Sequence, residues 1–259
     1  MCGYMSFGKV IYMKIEFYYW DMQCPLNNEM LKLLEKYSKH FEISFHNIKN
    51  NFEIAKKQRI FFPTLTVVNG VNRYFSPLSD KFLDNLLNNQ YPKEKPYIIN
   101  HGREKYVGDI IPLTEKNIEV AGICTGRNCS KNCHKKYRFL ESYSLDIFGF
   151  INVEDNKLLG GVEYVPSKIV PYDIPKSEDI AFLTCAYLSS NRYDYKSAPL
   201  KALEGYLKNK YSKIVAISDE VGTFPNGDLK WFLDNGFRDE GVISCEPGYC
   251  RLHLVSKII

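Results

Sequence analysis

The chain has 259 residues, of which 45% are hydrophobic and 25% charged, and its net charge is +4. A soft prior of about 150 residues per domain predicts two domains, and this composition is typical of globular proteins with buried cores. This mild excess of positive charge does not argue for a nucleic-acid binder, which usually has a concentrated basic face, and no apolar run approaches the ~20 residues of a membrane span. We therefore expect neither nucleic acid nor a membrane as a partner.

The N-terminal stretch MCGYMSFGKVIYMKIEFYYW is apolar but is interrupted by Lys9, Lys14 and Glu16. It has neither an uninterrupted apolar centre nor a cleavage site, so we do not expect a signal peptide. We expect a cytoplasmic protein, in which most of the eight cysteines are reduced.

The first half is predicted to alternate between strands and helices. In chain order the segments are strand KIEFYYW, helix PLNNEMLKLLEKYSKHF, strand EISFHNI, helix NFEIAKKQR, hairpin FFPTLTVVNGVNRYF and helix SPLSDKFLDNLLNN. Pro25 is suited to the first turn of its helix, and Asn69-Gly70 is a strong hairpin signal. The order β-α-β-α-β-β-α predicts a central sheet with helices on its faces.

This order resembles the thioredoxin fold over roughly Lys14 to Gln90, and two motifs carry the resemblance. QCPLN places Cys24 where that family has the first cysteine of Cys-x-x-Cys, and FFPTLTV places Pro63 where the family has a cis-proline. Asn27 replaces the resolving cysteine, which excludes a two-thiol disulfide cycle at this motif. Two interpretations of Cys24 remain. It is either a reactive single thiol whose pKa is lowered by the helix N-terminus, or part of a former redox site that now serves as a docking or structural module.

Residues 91–107 are polar, contain two prolines and are predicted to link domain 1–90 to domain 108–259. The second domain is predicted to have the order β-α-α-β-β-β-α-β-α-β-β, with Thr114 as a helix cap. One hairpin should turn at Asp155-Asn156. The strand DIAFLTCAYLS is apolar enough to be buried on both faces, and Gly236 should end the helix in KWFLDNGF.

The order of the second half, together with its motifs, resembles the GNAT N-acetyltransferase family over about Asp109 to Ile259. FLDNGF matches the frame in which the family has Tyr-Glu-Lys-Leu-Gly-Phe, and GGVEYVP followed by AFLTCAYL is similar to the YoaP-like branch. The two resemblances imply an α/β (α+β) chain, with a thioredoxin-like domain followed by a GNAT acyl-CoA N-acyltransferase fold. They also imply acetyl-CoA as cosubstrate and an amine acceptor, which the sequence does not identify.

The GNAT resemblance implies that strands LTCAYL and KIVAIS splay apart to bind pantetheine, and that one N–H polarises the thioester carbonyl. The family binds pyrophosphate with Arg/Gln-x-x-Gly-x-Gly/Ala at a helix N-terminus. Here Ser197 and Pro199 stand near the glycine positions, and Pro199 has no N–H to donate. Basic side chains of this loop would replace part of the affinity. The residues assigned to the coenzyme are Cys185, Ala186, Leu188, Arg192, Tyr195, Lys196, Ser197, Ala198, Lys201, Asn226 and Phe232.

The catalytic residues that the resemblance implies are Glu163 and Tyr187. The family often protonates the leaving thiolate with a tyrosine in the frame of Phe232, which has no hydroxyl, so Tyr187 is the candidate acid. Glu163 is the candidate base if burial raises its pKa towards neutrality. The alternative without catalysis is that Tyr187 is an aromatic side chain of the core and Glu163 a carboxylate at the rim of the site. Cys185 is expected to be a small buried hydrophobe rather than a nucleophile.

Two cysteine-rich segments remain, CTGRNCSKNCH with Cys124, Cys129 and Cys133, and CEPGYC with Cys245 and Cys250. If they converge they offer soft ligands for a tetrahedral zinc site. Their spacings are looser than in zinc knuckles, so we predict thiols that line a pocket and no metal.

Three functions remain open from the sequence. The first is an acetyl-CoA-dependent N-acetyltransferase with a fused thioredoxin-like module. The second is a non-catalytic module that binds coenzyme A or a protein. The third is a redox protein that works through Cys24, against which Asn27 argues.

Overall fold

The computed structural model describes residues 13–100, 102–121 and 130–259, without the side chains of residues 130–133. The described residues form two sheets with helices packed on them, which confirms the mixed α/β class. Within these ranges, no helix combines the length and apolarity needed to cross a membrane.

The first sheet has four strands in the order β2-β1-β3-β4, with β3 antiparallel to its neighbours and β1 parallel to β2. Asn69 and Gly70 have φ angles of 52° and 71°, as the predicted tight hairpin turn requires. The predicted element order is confirmed. The elements are β1 (Lys14–Tyr19), α1 (Leu26–Lys36), β2 (Glu42–Asn47), α2 (Phe52–Lys57), β3 (Thr64–Val68), β4 (Asn72–Tyr74) and α3 (Asp80–Leu87).

The prediction of a cis peptide bond at Pro63 is wrong. Among the described residues the cis peptide bond is Phe224-Pro225, so Phe62-Pro63 is trans. The carbonyl of Pro63 accepts a hydrogen bond from the N–H of Trp20 at 3.0 Å. The trans form, which X-Pro bonds already favour, therefore extends the pairing of β1 with β3 by one further bond.

The second sheet has seven strands in the order β10-β11-β9-β8-β7-β6-β5, and β8 and β9 are its parallel pair. The predicted order is again confirmed. The elements are β5 (Asp109–Leu113), a 3₁₀ turn (Glu115–Asn117), α4 (Ile118–Ala121), α5 (Ser130–Glu141), β6 (Gly149–Glu154), β7 (Lys157–Pro166), a 3₁₀ turn (Ser167–Ile169), β8 (Ile180–Leu188), α6 (Ser197–Leu207), β9 (Lys213–Asp219), α7 (Leu229–Asp234), β10 (Arg238–Glu246) and β11 (Cys250–Ile258).

The turns of the second half lie where the sequence places them. Asp155 and Asn156 have φ angles of 50° and 60° in the turn between β6 and β7. Gly236 has φ of 81° just after α7, and its N–H donates to the carbonyl of Leu233 at 3.0 Å. A left-handed glycine thus ends α7 and turns the chain into β10.

The two halves share a hydrophobic core. Trp20, which is 1% exposed, packs its indole against the rings of Phe139, Tyr172 and Phe182 at centroid distances of 5.7, 5.2 and 6.5 Å. These residues belong to one continuous buried cluster that spans both sheets. A separate cluster lies under α6 and α7, on the opposite face of the second sheet.

The segment between the halves is bound to the second half. It has neither helix nor strand in its described residues. The carbonyl of Tyr97 accepts hydrogen bonds from the N–H and hydroxyl of Thr223 at 2.7 and 2.9 Å. Further along, Arg103 forms an ion pair with Asp228 at 3.2 Å. The boundaries at 90 and 108 remain predictions, but this segment lies against the protein surface.

Candidate active site

The candidate site is a cleft between β8 and β9. These parallel strands pair only through Ile180↔Lys213, Ala181↔Ile214 and Phe182↔Val215, and then separate. Beyond Phe182 the described residues give β8 no strand partner on this side. The predicted splay is therefore confirmed, and it leaves an edge of β8 for a ligand.

Asn226 bridges the two strands where they begin to separate. Its Nδ2 donates to the carbonyls of Leu183 on β8 and Ile217 on β9, both at 3.2 Å. The residue is 1% exposed, and its Oδ1 has no hydrogen-bond partner among the described residues. A buried acceptor left without a partner is costly, so this atom is a weak point of the packing at the base of the cleft.

A β-bulge lies beside this cleft. Glu163 of β7 is opposite Cys185 of β8, whereas the next pair is Tyr164 with Leu183, so Thr184 is the extra residue of the bulge. Since side chains alternate along a strand, Cys185 and Tyr187 lie on one face. Tyr187 lies opposite Gly161, where an added Cβ would stand 2.8 Å from the tyrosine Oη.

Glu163 is buried and not a rim carboxylate. Its side chain is 0% exposed, and its Oε2 lies 2.5 Å from Nζ of Lys136 on α5, whose side chain is 5% exposed. Two charges buried together stabilise each other only while both are present. Any base chemistry at Glu163 therefore takes place beside a buried ammonium.

Cys185 contacts the first half. The Nε2 of Gln23 donates to its Sγ at 3.1 Å, and Gln23 is 4% exposed. Burial of the sulfur raises the pKa of Cys185 to about 12, so the thiol is protonated at neutral pH. A protonated thiol is a poor nucleophile, and the side chain as a whole is half-buried.

Cys24 lies just before α1, where the thioredoxin resemblance places it, and is half-buried and outside any disulfide. Asn27 is completely buried, and its Nδ2 donates to the carbonyl of Asp21 at 2.7 Å. Asn27 thus closes the turn before α1. A redox role of Cys24 stays a prediction.

The loop between β8 and α6 contains a buried carboxylate that sequence reasoning missed. Oδ1 of Asp194 accepts hydrogen bonds from the N–H groups of Lys196 and Ser197 at 2.9 and 3.1 Å. Its Oδ2 accepts from the hydroxyl of Ser197 and from Nε1 of Trp231, the latter at 3.1 Å. Asp194, 4% exposed, therefore occupies the N-terminal end of α6.

The predicted coenzyme residues fall into different environments. Cys185, Ala186 and Leu188 lie half-buried on the open part of β8, and Asn226 lies at its base. Arg192 of the loop and Lys201 of α6 are exposed, Ala198 is half-buried, and Tyr195, Lys196 and Ser197 are buried. Phe232 is completely buried between Trp231 and Phe237, so its observed role is packing.

The cysteine-rich segments are only partly described. Cys124 and Cys129 lie outside the described residues, as does the side chain of Cys133. Cys245 is exposed whereas Cys250 is buried, and the described residues contain no group of three or more metal-ligating side chains.

The comparisons with known proteins find structural likeness only. No family model and no curated protein matches the chain. An N-acetyltransferase from Staphylococcus aureus Mu50 is 13% identical, with a TM-score of 0.45 over 58% of this chain and 97% of its own. The ribosomal-protein-alanine N-acetyltransferase from Brucella melitensis is 16% identical, with a TM-score of 0.44 over 58% of this chain and 99% of its own. An aminoglycoside 6'-N-acetyltransferase complexed with coenzyme A is 12% identical, with a TM-score of 0.40 over 58% and 96%.

Likenesses this distant do not specify chemistry, which depends on the residues of the site. Of the site residues missed from the sequence, Asp194 had a usable signal, because an aspartate just before a helix whose first turn contains Pro199 is a capping pattern. Gln23 and Lys136 had none, since their partners lie far away in the chain.

Proposed function

We propose that the protein transfers an acyl group from a thioester such as acetyl-CoA to an amine, at the cleft between β8 and β9. The observation that supports this most strongly is the separation of the two parallel strands after Phe182, with Asn226 across its base. A pantetheine arm contains two amides, which can pair with an unpaired strand edge in the manner of an added strand. The bound thioester supplies the activated acyl group.

The strand itself has two tasks in this proposal. The backbone groups of residues 185–188 hold the pantetheine arm, and Asn226 fixes the separation of the two strands at its base. A backbone N–H beside the bulge polarises the thioester carbonyl, because a fixed dipole in a site without water stabilises developing negative charge.

Two side chains handle the protons. Glu163, at the bulge, is assigned to accept a proton from the incoming ammonium, which requires that substrate binding exposes its carboxylate, and the buried Lys136 beside it holds the carboxylate in place. The hydroxyl of Tyr187, two residues from Cys185 on the same face, protonates the departing thiolate. We leave the amine class open.

We further propose that residues 14–90 form a thioredoxin-like module that serves the site as a structural partner. The strand order β2-β1-β3-β4, with β3 antiparallel to its neighbours, supports this, as does the position of Cys24 before α1. The hydrogen bond from Gln23 to Cys185 connects this module to the bulge in β8.

The test is acyl transfer by the full chain. Purified protein is incubated with isotope-labelled acetyl-CoA and a panel of amines comprising polyamines, an aminoglycoside and peptides with unblocked N-termini, and products are read by mass spectrometry. We expect one amine class to be acetylated. Donor binding without transfer to any amine class would favour a non-catalytic binding module. Absence of donor binding would contradict the proposal.

The variant Tyr187→Phe removes only the hydroxyl and is expected to lower kcat by about 100-fold with little change in KM, since a positioned acid contributes at least about that factor. The melting temperature should stay close to that of the wild type. Tyr206→Phe, on the outer helix α6, is the matched control and should retain full activity. Equal rates for both variants would remove Tyr187 from the mechanism.

A further inference from the structure

Four backbone N–H groups that could hold a nucleotide diphosphate are engaged within the protein. They belong to the loop between β8 and α6, from residue 190 to residue 197. The N–H of Arg192 donates to Oγ of Ser190 at 3.3 Å, and that of Asp194 donates to the carbonyl of Glu104 at 2.8 Å. The next donors, at 196 and 197, both bind Oδ1 of Asp194. A diphosphate would have to displace all of these bonds.

The group at the N-terminal end of α6 is an anion. Burial alone would raise the pKa of Asp194, but hydrogen bonds from Ser197, Lys196 and Trp231 outweigh it, and the pKa lies below the ordinary value. The carboxylate therefore already uses the favourable end of the helix dipole, and it repels any further negative charge there.

The cations near this end of α6 do not reverse this, because Arg192 and Lys201 are exposed, where an ion pair contributes little, and Lys196 is buried. Lys196 is 3% exposed, and its Nζ lies 4.1 Å from the centre of the Trp231 ring. Burial lowers the pKa of Lys196 to about 8, despite the carboxylates of Asp194 and Asp228. It is a packed side chain, out of reach of a phosphate at the surface.

The interdomain segment fixes the loop in this arrangement. Gly102 donates its N–H to the carbonyl of Asn191 at 3.0 Å, and Tyr106 donates to that of Asp194 at 3.1 Å. An added Cβ at Gly102 would stand 2.1 Å from the carbonyl oxygen of Arg192, so glycine is what permits this close approach. The pantetheine end of the cleft, by contrast, keeps the open edge of β8.

We propose that this site recognises its acyl donor through the pantetheine arm alone, so that its substrate class is acyl-pantetheine thioesters irrespective of any attached nucleotide. This inference rests on the proposed acyl transfer. A binding site for the diphosphate would make several charge-assisted hydrogen bonds, each worth at least about tenfold in affinity. We expect this site to show no such preference for a donor that carries the nucleotide diphosphate.

The experiment compares three donors on the full chain: acetyl-CoA, S-acetyl-4′-phosphopantetheine and S-acetylpantetheine. We expect their kcat/KM values to agree within tenfold, and pantetheine to raise the melting temperature where 3′-phosphoadenosine 5′-diphosphate at the same concentration does not. A preference of tenfold or more for acetyl-CoA, or stabilisation by the nucleotide alone, would overturn the inference and leave acyl transfer standing. Absence of transfer from all three donors would instead refute the proposed function.

Discussion

Replacing Lys136→Met is expected to lower the free energy of unfolding by about 3–5 kcal/mol, because it leaves the Glu163 carboxylate buried without its ammonium. Both side chains are at most 5% exposed and their charged atoms lie 2.5 Å apart. Apart from the Lys136 ammonium, no hydrogen-bond donor in the described part of the chain reaches either carboxylate oxygen, so nothing else there replaces the lost charge. Denaturant unfolding followed by circular dichroism measures the loss.

Two further variants make this prediction specific. Lys168→Met breaks the exposed pair with Glu178 and should cost no more than about 1 kcal/mol, as surface pairs do. The double variant Lys136→Met/Glu163→Leu removes both charges and should regain most of the stability, because an apolar pair can replace a buried ion pair. A loss below about 1 kcal/mol in Lys136→Met would show that water reaches Glu163, and the buried pair would then be wrong.

Trp20→Ala is expected to destabilise the whole chain by about 3–5 kcal/mol, the usual cost of removing a large buried aromatic. The indole is 1% exposed and lies against three rings of the second half. A second link between the halves is the ion pair of Arg73 with Glu246 at 3.0 Å. Removing the indole therefore opens a cavity in a core to which both sheets contribute.

The chain contains two tryptophans, so the fluorescence of this variant comes from the other one alone. Trp231 lies in the second half, in the separate cluster under α6 and α7. Its fluorescence transition should shift by the same free energy as the circular dichroism signal. Leu34→Ala, in the core of the first half, is the control and should also shift both signals together. A Trp231 transition that stays in place while circular dichroism splits would show that the halves unfold independently.

Local features of the fold were predictable because they depend on adjacent residues. Asn69-Gly70 and Asp155-Asn156 turn their hairpins, since these residues adopt positive φ at low cost. Gly236 ends α7 for the same reason. The order of elements followed from the spacing of apolar residues, and the splay of β8 and β9 followed from the family resemblance.

Features that depend on distant residues were not predictable. Nothing in the sequence pairs Lys136 with Glu163, or Trp20 with Phe182, because a helix lysine and a strand tryptophan occur in many surroundings. Pro63 was assigned a cis bond by resemblance, yet its carbonyl simply continues the pairing with Trp20 in the trans form. Asp194 was overlooked because the loop was compared with a glycine motif rather than with helix-capping patterns.

The most direct test of the proposed cleft is hydrogen–deuterium exchange of the full chain with and without saturating acetyl-CoA. We expect slower exchange in the peptide that covers residues 184–189, where backbone amides of β8 would gain ligand contacts, and unchanged exchange in α3 of the first half. Unchanged exchange of β8 in millimolar ligand, or protection confined to another part of the chain, would contradict an acyl-thioester site between β8 and β9.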